Sequence, residues 1–370
     1  MTATVRHTIA HPFTGLGCLL ILLLLTACSA EEEPLNMASH PISIDLGVEA
    51  PASSTRATLY NSSTELQGKQ QVDIRLYNTD GSNYSYTAAD GTTTVTPNDD
   101  SPYLDWQNSS WAFYKNDGTS YVYLWRDTFD GTNDASSETK VNFVGFAPHA
   151  TNITNVTGLT LSKDGAAFTV SDIPLKDDIM VGTATNQSYS TANPVHLTLH
   201  HVCSAIDVTV VLSPRMTVTE LSISGIAKSG SYSGDGTTNG WTGNTGTDGT
   251  IITTTFPDKN GNGTTGQLPG DLNFGASITP DAPFVVVPQT LTSSATITLK
   301  ATVNSTDKTY TFDLLTADPN HGNTTAATSW QPGYKYTYQL CINADDPEFG
   351  LVSVIVVPWD VEGSSTTDVE

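Results

Sequence analysis

The residue types that could carry catalysis or hold a metal ion are present, but their spacing does not suit that chemistry. Residues 258–263 supply the oxygen ligands and the glycine of the first half of a calcium loop, yet the twelfth position is Pro269 instead of a bidentate glutamate. His196 and His200 would stand about 13 Å apart on one strand and cannot form a metal site alone. We therefore predict no catalytic residue, no metal site, no cofactor and no enzymatic activity.

Cys28 is placed for modification by lipid. Arg6 precedes an apolar stretch at residues 16–25, which is typical of a secretory signal peptide and about half as long as the ~20 residues of a membrane-spanning helix. The tetrapeptide Leu-Thr-Ala-Cys ends this stretch and resembles the bacterial lipobox. We predict that a signal peptide, residues 1–27, is removed and that the thiol of Cys28 is acylated, with palmitate among the chains that anchor it to a membrane. Ordinary cleavage near Ala27, which leaves a free cysteine, is the alternative.

The charge balance excludes one class of partner. The chain has 15 Lys and Arg residues against 38 Asp and Glu residues, which gives a formal net charge of −23 at pH 7. A polyanion would be repelled, because nucleic-acid binding depends on basic side chains that neutralise phosphates. We therefore predict that no nucleic acid is a partner.

Composition and hydrophobic periodicity predict an all-β fold. Glycine, proline, serine and threonine are abundant, and no stretch of a dozen residues keeps helical periodicity. At residues 42–48, four apolar side chains alternate with polar residues or glycine, which indicates a strand with one buried face. Further strands are predicted at residues 72–76, 121–125, 141–146, 195–202, 206–212, 218–226, 284–287, 297–303, 334–342 and 351–357. Turn-forming clusters separate these short runs, a pattern typical of β-sandwiches.

The length predicts about two domains of roughly 150 residues each. Hydrophobic patterning in the middle of the chain is weakest at residues 183–194, where Asn, Ser and Thr dominate, so we place the domain boundary there. The predicted organisation is an N-terminal segment at 28–56, an N-terminal β-sandwich domain at 57–190 and a C-terminal β-sandwich domain at 191–370.

Two cysteines remain for a disulfide. Cys18 leaves with the signal peptide and Cys28 carries the lipid, so Cys203 and Cys341 are the two cysteines of the mature chain that can form a disulfide. Both lie in predicted strands, but the sequence does not say whether those strands are neighbours. A disulfide between them is therefore allowed and not required.

Several segments match, in order, the motifs of one bacterial family. They are Val-His-Leu-Thr-Leu-His-His-Val-Cys-Ser-Ala-Ile at 195–206, the stretch 221–232 that ends in Ser-Gly-Ser-Tyr, Phe-Val-Val-Val-Pro-Gln at 284–289, Trp-Gln-Pro-Gly-Tyr-Lys-Tyr-Thr-Tyr at 330–338 and, in the N-terminal half, Thr-Arg-Ala at 55–57 and Val-Asn-Phe-Val-Gly-Phe-Ala-Pro at 141–148. Trp359 completes the series. Together these segments resemble the fimbrillin family of the type V pili of Bacteroidia.

The resemblance implies two transthyretin-like β-sandwich domains in tandem and a surface-exposed lipoprotein of the outer membrane. The acidic stretch 29–33, directly after Cys28, is similar to the tag that directs lipoproteins of Bacteroidia to the outer face; a solvated acidic tether is the alternative. The resemblance also implies cleavage after an arginine by a trypsin-like protease. Arg56 is the only Lys or Arg between Cys28 and Lys69, so we expect cleavage between Arg56 and Ala57 and removal of the segment before it.

Assembly by strand donation is a further implication of the resemblance. If the predicted strand at 42–48 packs in the N-terminal sandwich and is then released, it leaves an apolar groove whose unpaired backbone groups are a template for another chain's strand. The predicted donor is the last strand, residues 351–359, because it is apolar on both faces. On that strand Leu351, Ile355, Val357 and Trp359 would point one way, and Val352, Val354 and Val356 the other. The alternative is that this strand completes its own sandwich.

The function implied by the resemblance is a structural subunit of cell-surface fimbriae that supports adhesion, with a host or bacterial surface receptor as a further partner. Its assembly partners would be other fimbrial subunits or copies of itself. The alternative is a surface lipoprotein that binds glycans without polymerising, for which Trp106, Trp111 and Trp125 would form a stacking platform. Burial of these tryptophans inside a sandwich is the competing prediction, which we favour.

Overall fold

A computed structural model describes residues 40–48, 66–67, 71–88, 90–126, 139–189, 192–212, 216–253, 276–278, 283–315, 327–341 and 350–358. Within these ranges the regular structure is almost entirely strand, with two short 3-10 helices at Pro97–Asp100 and Ala150–Asn152. The strands are β1 Ile44–Val48, β2 Val72–Asn78, β3 Tyr86–Thr87, β4 Thr94–Val95, β5 Tyr103–Gln107, β6 Ser110–Tyr114, β7 Ser120–Tyr121, β8 Val141–Ala147, β9 Val156–Ser162, β10 Gly165–Val170, β11 Met180–Gln187, β12 Val195–His201, β13 Ser204–Leu212, β14 Met216–Ile226, β15 Gly230–Gly234, β16 Trp241–Thr242, β17 Gly249–Thr253, β18 Ala276–Ile278, β19 Phe284–Val286, β20 Gln289–Thr290, β21 Thr296–Val303, β22 Thr306–Asp313, β23 Ser329–Trp330, β24 Tyr334–Cys341 and β25 Gly350–Pro358. The predicted all-β fold is confirmed.

Eight strands form the N-terminal sheet, in the order β1-β12-β11-β8-β2-β5-β6-β7. The pair β1 and β12 is parallel, and the other neighbours are antiparallel. Because side chains alternate along a strand, each strand gives every second residue to one face. The apolar residues of that face form the N-terminal core, which includes Ile74, Leu104, Phe143 and Leu197.

Two further sheets enclose the C-terminal core. The first C-terminal sheet has the order β18-β13-β24-β25, with β19 also paired to β13, and the second has the order β17-β14-β21-β22. In the first sheet, β13 and β24 run parallel to each other. Ile206 and Tyr338 from the first sheet and Ile223 and Leu299 from the second are fully buried in this core. Two sheets with a shared apolar filling form a sandwich.

A fourth sheet bridges the two halves of the sequence. Its order is β16-β15-β10-β9, so a hairpin from before residue 190 pairs with a hairpin from after it. Phe168 on β10 contacts the rings of Phe146, Tyr232 and Trp241, with centroids 5.6, 5.1 and 5.7 Å away. Burial raises the pKa of Tyr232 to about 12, so its hydroxyl stays neutral. The bridging sheet is therefore packed against the C-terminal core.

The strand pairing corrects the domain boundary expected between residues 190 and 191. β12 lies after that boundary but pairs with β1 and β11 in the N-terminal sheet. Only Val202 and Cys203 separate β12 from β13 of the first C-terminal sheet. The N-terminal sheet therefore continues to His201, beyond the expected boundary, and the first C-terminal sheet begins with β13 at Ser204. The polar composition at 183–194 suggested a linker because its first part, residues 183–187, is the end of β11, where Thr185 and Asn186 are exposed.

The register of β13 and β24 corrects the candidate disulfide. Cys203 is a free, buried thiol just before Ser204, which pairs with Tyr334, whereas Cys341 pairs with Val211 at the far end of the same ladder. Eight strand residues span about 26 Å, and a disulfide requires α-carbons within about 7 Å. The two cysteines cannot be bridged in this fold.

Candidate strand-exchange site

Residues 40–48, which we call the closing segment, combine a buried apolar face with an exposed polar face. The buried side chains are Ile42, Ile44, Leu46 and Val48, with exposed fractions of 5%, 6%, 1% and 5%. Ser43 and Asp45 alternate with them and are exposed. Burying four such side chains stabilises the docked segment by on the order of 6 to 12 kcal/mol as an upper bound.

One edge of the closing segment pairs with β12. Residues Ile44–Val48 lie parallel to β12, with Ile44 opposite Val195 and Val48 opposite Leu199. The N–H of Val195 donates to the carbonyl oxygen of Ser43 at 2.8 Å. Within the sheet, β1 is the terminal strand, so β12 loses a neighbour if the segment leaves.

The first residues of the closing segment pair with the opposite end of the same sheet. The N–H of Trp125 donates to the carbonyl oxygen of His40 at 2.9 Å, and the N–H of Ile42 donates to that of Tyr123 at 2.9 Å. Residues 123–125 follow directly after β7, the last strand of the sheet. The closing segment therefore joins β12 to the stretch that follows β7, and its removal would open a slot with backbone groups on both walls.

Polar contacts along the segment add little to its docking. Ser43 Oγ donates to Asn193 Oδ1 at 2.6 Å, and Asp45 Oδ2 lies 2.9 Å from His196 Nδ1. The Asp45 and His196 side chains are 59% and 75% exposed, and an ion pair this exposed contributes at most about 1 kcal/mol. The apolar face is therefore the main source of affinity.

The wall at residues 123–125 is anchored independently of the closing segment. The Tyr123 hydroxyl donates to Asp100 Oδ2 at 3.1 Å, and Lys115 Nζ lies 3.0 Å from the same oxygen. Burial raises the pKa of Tyr123, with the Asp100 carboxylate adding to the effect, so the hydroxyl remains a donor. Arg126 Nε donates to the carbonyl oxygen of Ser85 at 2.6 Å. These contacts would hold the wall in place after the segment leaves.

The strand expected to act as the donor lies at the edge of the first C-terminal sheet. β25 pairs antiparallel with β24, with Gly350 opposite Cys341 and Pro358 opposite Tyr334, and it is the terminal strand of that sheet. Six of the seven expected donor residues are on β25, namely Leu351, Val352, Val354, Ile355, Val356 and Val357; Trp359 lies outside the described residues. Among the described strands, β25 pairs with β24 alone. This pairing is compatible with a strand that completes its own sandwich and with a strand that leaves it.

Three expected processing residues lie outside the described part of the chain. Cys28 falls in residues 1–39, and Arg56 and Ala57 fall in residues 49–65. Lipidation and cleavage at these positions stay predictions.

The tryptophans proposed for glycan stacking are instead part of the N-terminal core. Trp111 and Trp125 are 7% and 4% exposed, and Trp106 packs edge-on against Trp111 with ring centroids 5.4 Å apart. Trp125 packs against Phe143 in the same way at 5.7 Å. The prediction of burial is confirmed for Trp111 and Trp125, whereas Trp106 is partly buried, and the three rings present no exposed coplanar platform.

Two buried histidine and aspartate pairs escaped the sequence argument. His149 Nδ1 lies 2.9 Å from Asp73 Oδ1, and His201 Nδ1 contacts Asp178 Oδ2 with both side chains almost fully buried. The two partners of each pair are far apart in sequence, so no motif of fixed spacing predicts their contact. Among the described residues, no three His, Cys, Asp or Glu side chains are grouped to hold a metal ion.

Comparison with known proteins places the chain in a family. The sequence model of the fimbrillin-like family matches residues 130–359, which include β8 to β25 and Trp359. The chain belongs to the fimbrillin-like family. A search among curated proteins found no match. Within the described ranges, no helix has the length and apolar character of a membrane span.

A solved structure shares the fold of this fimbrillin-like chain. A fimbrial protein from Bacteroides vulgatus is 15% identical with a TM-score of 0.51, and the match covers 86% of this chain and 99% of that one. The tip fimbrial protein Mfa3 from Porphyromonas gingivalis is 9% identical with a TM-score of 0.40, covering 86% of this chain and 100% of that one. The fold similarity rests on the Bacteroides vulgatus structure.

Proposed function

We propose that this fimbrillin-like protein is a structural subunit of cell-surface fimbriae that polymerises by strand exchange. The observation that carries the proposal is the closing segment, which ties both ends of the N-terminal sheet together through one short strand just upstream of Arg56. Membership of the fimbrillin-like family and the shared fold support the same role.

The proposed sequence of events begins with export and anchoring. The signal peptide is removed, Cys28 is acylated, and the subunit reaches the outer face of the outer membrane. A trypsin-like protease then cuts between Arg56 and Ala57. The closing segment loses its covalent link to the rest of the chain and leaves the slot.

An empty slot favours the entry of another strand. Its floor is the apolar face of the N-terminal core, and its walls carry backbone groups that had been paired with His40, Ile42 and Ser43. Unpaired, partly buried backbone groups are costly, so a strand that pairs with both walls gains hydrogen bonds as well as apolar burial. A second copy of this chain or another fimbrial subunit would supply that strand.

β25 is the proposed donor. It has nine residues, Gly350–Pro358, and the closing segment also has nine, residues 40–48, so each spans roughly 30 Å when extended. β25 is held through one ladder as the terminal strand of its sheet, so its transfer breaks pairing with β24 alone among the described strands. The preceding stretch at 343–350 is acidic and rich in turn-forming residues, as a hinge requires.

Polymerisation after cleavage tests this function. The mature chain is incubated with an arginine-specific protease and then run on an SDS gel without boiling. We expect SDS-resistant ladders from the cleaved chain and monomers from Arg56→Ala under the same treatment. A chain that loses residues 28–56 and stays monomeric would defeat the proposal.

A further inference from the structure

One nearly continuous run of chain connects the slot to the sheet that holds the proposed donor. β12 forms a wall of the slot, and after Val202 and Cys203 the chain continues as β13. β13 lies beside β24, which in turn pairs with β25. Residues 195–212 therefore pair with the strand in the slot at one end and are joined at the other end, through β24, to the strand that leaves the subunit.

Both ladders along this run are parallel. Ile44–Val48 pair with residues 195–199 of β12, and Ser204–Val211 of β13 pair with Tyr334–Cys341 of β24. If the strand in the slot is pulled at its N-terminal end, it slides lengthwise along β12. If β24 is pulled at its C-terminal end, it slides lengthwise along β13, in the opposite direction. Sliding breaks all the hydrogen bonds of a ladder together, whereas peeling breaks them one at a time.

The junction between the two ladders is buried and pinned at every residue. The His201 ring contacts the Asp178 carboxylate, and the Val202 N–H donates to the Ile179 carbonyl. The Val202 carbonyl in turn accepts from Trp241 Nε1–H. The Cys203 carbonyl accepts from the Gly333 N–H, and the Ser204 hydroxyl donates to the Gln331 carbonyl. The exposed fractions of residues 201–204 are 4%, 1%, 0% and 0%. The pins come from the residues just before β11, from β16 of the bridging sheet and from the segment before β24.

β13 is also held on its second edge. β19 pairs with its first residues, Ser204–Ile206, and β18 pairs with its last, Val210–Leu212. Beyond the junction, any displacement of β13 must therefore disturb pairing on both sides.

We propose that residues 195–212 are the mechanical axis of the subunit, the path along which tension passes through it. Tension on the strand in the slot passes into β12, through the pinned junction into β13, and out through β24. The pins spread the load at residues 201–204 over three other parts of the fold, so the link between the two cores does not stretch first. That such tension arises in an assembled fimbria rests on the proposed function. The resistance of the single chain to unfolding when it is pulled along this axis does not depend on assembly.

Pulling on single molecules at constant force in optical tweezers tests this axis. The mature chain carries Cys28→Ser and Cys341→Ser, and handles are attached at His196→Cys and Gly350→Cys, which load the axis. His196 is exposed, and Gly350 lies opposite position 341 at the end of the ladder. In a second chain the handles are at Thr296→Cys and Asp313→Cys, which face each other across β21 and β22 and load that pair by peeling.

We expect the axis pair to unfold on the order of 100-fold more slowly than the peeling pair at the same force, because several hydrogen bonds must break together. Trp241→Phe and Ser204→Ala each remove one pin, and each should raise the unfolding rate of the axis pair about 3- to 10-fold while the peeling pair is unchanged. Thr242→Val, next to Trp241 and exposed, is the matched control and should change neither rate.

Equal unfolding rates for the axis and the peeling pair would overturn the proposal. An unfolding rate of the axis pair that neither Trp241→Phe nor Ser204→Ala changes would also overturn it. So would variants that raise the unfolding rates of the axis pair and the peeling pair alike. These outcomes are separate from polymerisation, since a chain that fails to form ladders can still show the slower unfolding of the axis pair.

Discussion

The backbone N–H of Ile42 donates to the carbonyl oxygen of Tyr123 at 2.9 Å, although Ile44, two residues later, is paired with Val195 at the other end of the sheet. The nine residues of the closing segment include β1 and thus connect the two ends of a row formed by the other seven strands. Because Ile42 and Ile44 precede Arg56 whereas Tyr123 and Val195 follow it, a single cut after Arg56 would separate the closing segment from the core it completes.

The buried face of the closing segment should dominate its contribution to stability. Leu46→Ala in the mature, uncleaved chain should lower the free energy of unfolding by about 2 to 5 kcal/mol, as for other buried leucines. Denaturation in urea measures this as a lower midpoint at an unchanged slope. Asp45→Ala on the exposed face is the control, with an expected loss of at most about 1 kcal/mol. Equal losses from the two variants would show that the segment is not docked through its apolar face.

Cys28 should carry the lipid anchor. Cys28→Ala should release the protein from membranes and abolish incorporation of labelled palmitate, since no thiol remains at the end of the signal peptide. Cys18→Ala, within the apolar stretch, should leave both unchanged. Persistent palmitate labelling of the Cys28→Ala protein in the outer-membrane fraction would refute the lipobox assignment.

Arg56 should be the site of proteolytic processing. N-terminal sequencing of assembled surface material should begin at Ala57, and Arg56→Ala should leave residues 28–56 attached. Lys69→Ala removes the next basic residue and should not alter processing. Assembled material that retains a blocked Cys28 terminus would remove cleavage from the mechanism.

The Cys203 thiol should be unreactive in the folded protein. Burial raises its pKa well above the ordinary value, with the Asp178 carboxylate adding to the effect, and the thiolate is the reactive form. In a mature chain with Cys28→Ser and Cys341→Ser, iodoacetamide at pH 8 should leave Cys203 unmodified by mass spectrometry, and unfolding in urea should expose it. Rapid modification of the native chain would contradict the position of Cys203 at the pinned junction.

Periodicity along the chain was enough to find the strands, because alternation over a few residues is a local property. The strand predicted at 42–48 and the burial of Trp111 and Trp125 both follow from it. The pairing of the closing segment with residues 123–125 could not be predicted, because a contact between residues so far apart in sequence produces no pattern within either segment. The same limit explains the missed His201 and Asp178 pair.

The boundary error has a specific physical cause. Thr185 and Asn186 are exposed at the end of β11, and an exposed strand end has the same polar composition as a linker between domains. Cys203 and Cys341 illustrate a related limit, because only the register of β13 and β24 shows that they lie at opposite ends of one ladder.

Hydrogen exchange at the amides of β12 tests strand exchange most directly. The amides of Val195, Leu197 and Leu199 face the closing segment, because the N–H groups of successive strand residues point to opposite edges, and they are compared in the uncleaved monomer, in the cleaved monomer freed of residues 28–56, and in the assembled polymer. We expect protection in the first, rapid exchange in the second and restored protection in the third, because a second strand then occupies the slot. Protection that persists in the cleaved monomer, or that is absent from the polymer, would contradict exchange at this site.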